Sequence, residues 1–177
     1  MPTGKQTSHP NQTGSSPAFP NLVAFDLDYT LDWIWFDLCS LWIDTHVTGP
    51  FKRTGEELNK VIPRRGDPIS FYPDVPEILH KIRRNEDSYI AACSRTSAPD
   101  YAREVLGLLL VPSPRSSPKD EPKRAIDFFD GKEIYPGSKL KHFKRLHEKT
   151  GIPYEEMLFF DDESRNKEVE SLGERSS

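Results

Sequence analysis

Four short runs govern what this 177-residue chain can fold into. Residues 22–27 (LVAFDL), 89–93 (YIAAC) and 157–160 (MLFF) are almost unbroken in apolar character, and 133–135 is a weaker fourth. A half-exposed strand alternates apolar with polar. A run without alternation suits a strand buried on both faces, as in a parallel sheet covered by helices. Helical spacing fills the gaps between the runs. Val75, Ile78, Leu79 and Ile82 fall at i, i+3, i+4 and i+7, with Pro76 tolerated in the first turn. Leu140, Phe143 and Leu146 form a second stripe that ends at Gly151, and 98–109 reads as a third helix. This order predicts an α/β domain: a mostly parallel sheet, right-handed crossovers and helices on both faces.

Composition removes several classes of function. The 24 Lys and Arg are outnumbered by 28 Asp and Glu, giving a net charge of −4. That balance is expected to exclude a nucleic-acid partner held by excess base. Two cysteines, Cys39 and Cys93, are too few for a disulfide framework or a structural zinc site. The most apolar stretch, 31–43, is too short for a membrane span and is broken by Asp32 and Asp37. No apolar leader segment is visible. These features predict a cytoplasmic protein, with the nucleus as the alternative, that works away from membranes as a monomer. Residues 1–17 hold a single apolar side chain, Met1, and read as a disordered tail, leaving 18–177 as one domain. Residues 112–122 (PSPRSSPKDEP) read as a proline-rich surface loop.

In open α/β sheets the ligand site lies beyond the carboxyl ends of the strands. The residues just past each run are therefore the ones to inspect. They are Asp26-Leu27-Asp28-Tyr29-Thr30, Ser94-Arg95-Thr96-Ser97, Pro136-Gly137-Ser138-Lys139 and Asp161-Asp162-Glu163. Gathered at adjacent strand ends, they form a crevice rich in carboxylates with one or two fixed cations. Such a crevice calls for a divalent ion, and oxygen-only ligands favour Mg²⁺. Asp26 and Asp28 are two apart, so an extended chain projects them to one side. One carboxylate can attack phosphorus, while the other protonates the leaving oxygen and later activates water. The second role calls for a raised pKa at Asp28. Ser94 suits hydrogen bonding to a phosphoryl oxygen, and Lys139 suits charge neutralisation. Taken alone, D-x-D-x-T is also compatible with a turn or helix cap after a strand. Its recurrence with three further polar strand ends favours chemistry.

These segments resemble the four motifs of haloacid dehalogenase-like (HAD) phosphatases. FDLDYTL, WIDTHV, AACSRTS, IYPGSKLKHF, RLHEKTGIP and LFFDDESRN are more closely similar to the magnesium-dependent phosphatase-1 family in its fungal form. The resemblance covers residues 20–172. It implies a HAD-like Rossmannoid fold with a minimal cap, and a Mg²⁺-dependent phosphomonoester hydrolase working through an aspartyl phosphate. Asp26 is then the nucleophile and a metal ligand. Asp28 is the proton donor, and its main-chain carbonyl is a second ligand. Asp162 is the third ligand, with Asp161 acting indirectly, through water or by orienting Lys139. Leu27, Asp28, Ser94, Arg95 and Lys139 are assigned to the phosphate. The substrate is expected to be a phosphotyrosine protein or a phosphorylated small molecule, and 42–74 falls where the family places its small insert.

Two stretches depart from the family pattern. Residues 32–41 (DWIWFDLCSL) are longer and more apolar than the family's link, and place Trp33, Trp35 and Phe36 beside the nucleophile loop. The sequence also ends soon after the Asp-Asp pair, so a C-terminal strand and helix are expected to be missing. The competing expectation is therefore a truncated, non-catalytic protein that at most binds phosphate. Cys93 beside Ser94 invites a thiol mechanism, but Pro99 stands where that chemistry needs an Arg, so Cys93 reads as a buried strand residue. Lys139, Lys141, Lys144 and Arg145 read as a solvated basic helix face, and His142 and His147 as surface residues.

Overall fold

A computed structural model of the chain describes residues 19–28, 40–43, 49–53, 55, 57–85, 87–161 and 163–173, with Asp28 and Ser40–Ile43 described as backbone only. The expected tail at 1–17 and most of the apolar insert at 32–41 lie outside these residues.

The central strand is β1 (Leu22–Asp28). On one edge it pairs in parallel with β5 (Tyr89–Ser94), Leu22 opposite Tyr89 and Phe25 opposite Ala92. It also pairs in parallel with β9 (Met157–Phe160), Leu22 opposite Met157 and Phe25 opposite Phe160. β8 (Gly131–Ile134) extends the sheet beyond β5, and β2 (Ser40–Ile43) joins the carboxyl end of β1. All of these pairings are parallel, as the unbroken apolar runs predict for β1, β5, β8 and β9; β2 falls in the stretch read as insert and is not among those runs. β8 begins two residues earlier than the sequence suggests and omits Tyr135. Two short antiparallel pairs complete the strands: β3 (Lys52–Arg53) with β4 (Val61–Ile62), and β6 (Leu110–Val111) with β7 (Lys123–Arg124). The second pair brackets the proline-rich loop, which is exposed from 115 to 124.

Alternation along β1 sorts its side chains between two cores. Val23, Phe25 and Leu27 join α1 (Val75–Arg83) and α2 (Pro99–Leu108) through Val75, Leu79, Ile82, Ala102, Val105 and Leu106. Leu22 and Ala24 face the other way, against Phe143 and Leu146 of α3 (Lys139–Thr150). Helices therefore cover both faces, and even-numbered Asp26 belongs to the α3 side. α3 stops where Gly151 adopts a left-handed backbone (φ 71°), a conformation that favours glycine, as the sequence anticipates. Among the described residues no helix is long and apolar enough to cross a membrane.

Candidate active site

The register of the sheet brings Asp26, Asp161 and Lys139 together. Phe25 is opposite both Ala92 and Phe160. One step further along three neighbouring strands come Asp26, Cys93 and Asp161, at the same height. The first turn of α3 caps this level with Lys139, which is completely buried. Its ammonium lies 2.6 Å from Asp26 Oδ1 and 3.4 Å from Asp161 Oδ2, and donates to the Cys93 carbonyl. It also stands 5.3 Å from the centre of the Phe159 ring. Lys139 thus turns inward from α3 as a tie between two carboxylates, not as part of a solvated basic face. A lysine can be held this deep only because the carboxylates and a carbonyl replace its water.

Asp26 is 1% exposed. Its Oδ1 also accepts the Leu27 N–H at 2.8 Å, so the contact seen for Leu27, expected at the phosphate, is to the Asp26 carboxylate. Asp28 ends β1 two residues on, and its side chain lies outside the described residues, as do Thr30 and Asp162. Ser94 is fully buried at the end of β5, and its hydroxyl accepts the Thr96 N–H at 3.1 Å. Arg95 follows it and donates from Nη1 to Asn166 Oδ1 at 2.9 Å. Asp161 accepts the Glu163 N–H at 2.8 Å and the Asn166 side-chain amide at both oxygens.

Asn166 is a further residue of the cluster, one that no strand-end motif marks. It lies in the 3₁₀ helix Ser164–Leu172, inward-facing and 1% exposed. A polar residue five positions beyond Asp161 was the available signal. A cavity of about 460 Å³ opens beside Asp161, Glu163 and Asn166, with Phe143, Tyr154 and Met157 at its apolar end. Asp26, Ser94 and Lys139 do not line it, so it adjoins the carboxylate cluster on the Asp161 side.

Two buried titratable groups flank the cluster. Burial pushes the Cys93 thiol up to about 12, and the Lys139 cation offsets only part of this effect. A thiol so held is not a nucleophile near neutral pH. His142 is fully buried one turn after Lys139, which corrects its expected place on the surface. Its Nε2 lies 3.1 Å from the Tyr135 carbonyl and so carries the proton, while Nδ1 has no partner. Burial, reinforced by Lys139, pushes its pKa down to about 4. The ring is neutral and adds no charge against Lys139.

Among the described residues no group of three or more His, Cys, Asp or Glu could by itself hold a metal. Of the three ligands assigned from the sequence, the Asp28 carbonyl ends β1 and Asp162 lies outside the described residues. Asp26 offers a hard carboxylate at the same strand ends. An all-oxygen donor set with no thiol or imidazole fits Mg²⁺ and does not fit zinc or copper.

Residues 18–175 match the Acid Phosphatase family model. A HAD-like hydrolase superfamily protein of Schizosaccharomyces pombe is 48% identical over 155 residues, which cover 88% of this chain and 83% of that protein. Magnesium-dependent phosphatase 1 of Homo sapiens is 41% identical over 155 residues, 87% of this chain and 74% of that protein.

Proposed function

The chain belongs to the acid phosphatase family, and from that premise we propose that it is a Mg²⁺-dependent phosphomonoesterase in which Asp26 transiently carries the phosphoryl group. The observation that supports this reading most directly is the buried Lys139 ammonium joining Asp26 to Asp161 from adjacent strand ends. A carboxylate anchored through Oδ1 by an amide and an ammonium has a fixed plane, which is what in-line attack requires.

In the first step an Asp26 carboxylate oxygen forms a bond to phosphorus as the ester P–O bond breaks. The Asp28 carboxyl gives its proton to the departing oxygen. In the second step Asp28 takes a proton from water. The resulting hydroxide attacks phosphorus, and inorganic phosphate leaves as the Asp26 carboxylate is regenerated. Ser94 and Arg95 orient the phosphoryl oxygens, Arg95 through its planar fork of N–H donors. Asp26, the Asp28 carbonyl and Asp162 would hold Mg²⁺, which would supply positive charge against the crowded oxygens. Lys139 holds Asp26 and Asp161 in register and offers its positive charge to the phosphoryl group that Asp26 receives. The substrate class is a phosphomonoester, and a small cap favours phosphotyrosine proteins or small sugar phosphates.

Turnover of p-nitrophenyl phosphate tests this reading. Activity should require Mg²⁺, vanish with EDTA, and fall by roughly 10⁴-fold or more in Asp26→Asn. Full activity in that variant, or in EDTA, refutes it. A panel of phosphotyrosine peptides and sugar phosphates then separates the two substrate classes.

A further inference from the structure

Asn166 makes a connection that the sheet does not. Arg95 follows β5 and Asp161 follows β9, and these strands are not neighbours, because β1 runs between them. The Asn166 side chain joins the two loops past the end of β1, the strand that carries Asp26. Its Oδ1 accepts from Arg95 Nη1 at 2.9 Å. Its Nδ2 donates to Asp161 Oδ2 at 2.8 Å, to Asp161 Oδ1 at 3.0 Å and to Glu163 Oε2 at 3.1 Å.

The chemistry of an amide suits this place. One end accepts from a cation and the other donates to carboxylates, so each pole meets a group of matching need. A carboxylate here would keep the bond to Arg95 and repel Asp161 and Glu163. An apolar side chain would make neither bond. Asn166 is also buried, so its bonds do not compete with bulk water and hold their geometry.

We infer that Asn166 is a positioning residue for phosphate recognition: it sets the Arg95 guanidinium relative to the carboxylate cluster. The inference rests on the phosphate-binding role proposed above for Arg95. It assigns Asn166 no contact with the substrate, so its effect on phosphate affinity passes through Arg95.

The test uses the full chain with Mg²⁺ and p-nitrophenyl phosphate, and inorganic phosphate as competitor. Asn166→Ala should raise both KM and the phosphate inhibition constant about tenfold while kcat changes less than about threefold. Arg95→Ala should do the same. The double variant should be no worse than Arg95→Ala alone, because both act through one group. Asn166→Asp, which keeps size and the acceptor for Arg95 but repels Asp161 and Glu163, should leave KM raised as in Asn166→Ala, because Arg95 is then no longer tied to the cluster. Multiplicative effects in the double variant, a kcat loss with unchanged KM, or an Asn166→Asp KM equal to that of the parent protein each overturn the inference while leaving the phosphatase reading intact. A parent protein without Mg²⁺-dependent turnover overturns the phosphatase reading itself, and this inference with it.

Discussion

The Lys139 ammonium and Asp26 Oδ1 stand 2.6 Å apart, 113 residues from each other in sequence, with both side chains buried. Breaking a buried pair costs more than the pair itself contributes, because it leaves an uncompensated charge. Lys139→Met strands Asp26 and Asp161 together without their shared cation. It should cost about 3–5 kcal/mol of stability in urea unfolding. Adding Asp26→Asn should recover part of that loss, since it removes one of the stranded charges. Urea curves for Lys139→Met that overlay the parent curve would show that the lysine is not the tie described above.

How much of this was legible in sequence follows from pattern and distance. The unbroken runs of β1, β5 and β9 announce themselves, and with them the strand ends where Asp26, Ser94 and Asp161 sit. β8 was displaced because its first residue, Gly131, carries no side chain to register in an apolar pattern. Strands of two residues, such as β3 and β6, are too short for any periodicity. Lys139, His142, Phe143 and Leu146 lie at i, i+3, i+4 and i+7, so the buried stripe of α3 was present in the sequence. Its polar members read as surface because the carboxylates that compensate Lys139 come from strands far away in the chain. Asn166 stayed hidden for the same reason: its three partners include one 71 residues distant.

The buried His142 makes stability depend on pH. Its folded pKa lies near 4 and its unfolded value near 6.5, with burial the leading cause. Between those values the unfolded chain binds a proton that the folded chain does not. Stability is therefore full above pH 6.5, falls as pH drops toward 4, and levels off below. The interval corresponds to roughly 3 kcal/mol. His142→Phe removes this titration while keeping an aromatic ring against Tyr135. Stability measured from pH 7 to 4 should fall less steeply in that variant than in the parent. Parallel slopes would show that other groups carry the acid sensitivity.

Gly131 separates folding from function. A Cβ there would meet Tyr89 Cε1 at 2.9 Å and Leu146 Cδ2 at 3.0 Å. Leu146 is fully buried, so little can move aside. Gly131→Ala should destabilise by about 1–3 kcal/mol through overpacking. Gly131 begins β8, at the opposite end of the strand from the catalytic cluster, so activity per folded molecule should be unchanged. A variant as stable as the parent would mean that the Tyr89 ring swings away without cost. A stable but inactive variant would tie this end of the sheet to the chemistry.

Cys93 distinguishes the carboxylate mechanism from a thiol one. Its main-chain carbonyl receives the Lys139 ammonium, while its thiol faces the core formed by Leu22, Ala24, Ala91, Phe143 and Leu146. Burial holds that thiol at about 12, so the thiolate is essentially absent at pH 7. The backbone bond does not depend on the side chain, so Cys93→Ala keeps it. That variant should retain kcat within about threefold of the parent value, losing stability through the small cavity left behind. Iodoacetamide should leave the parent's Mg²⁺-dependent turnover unaffected under native conditions, since both burial and protonation protect the sulfur. Turnover that survives EDTA but is lost on alkylation would transfer the nucleophile's role from Asp26 to Cys93, and Asp26→Asn would then retain activity.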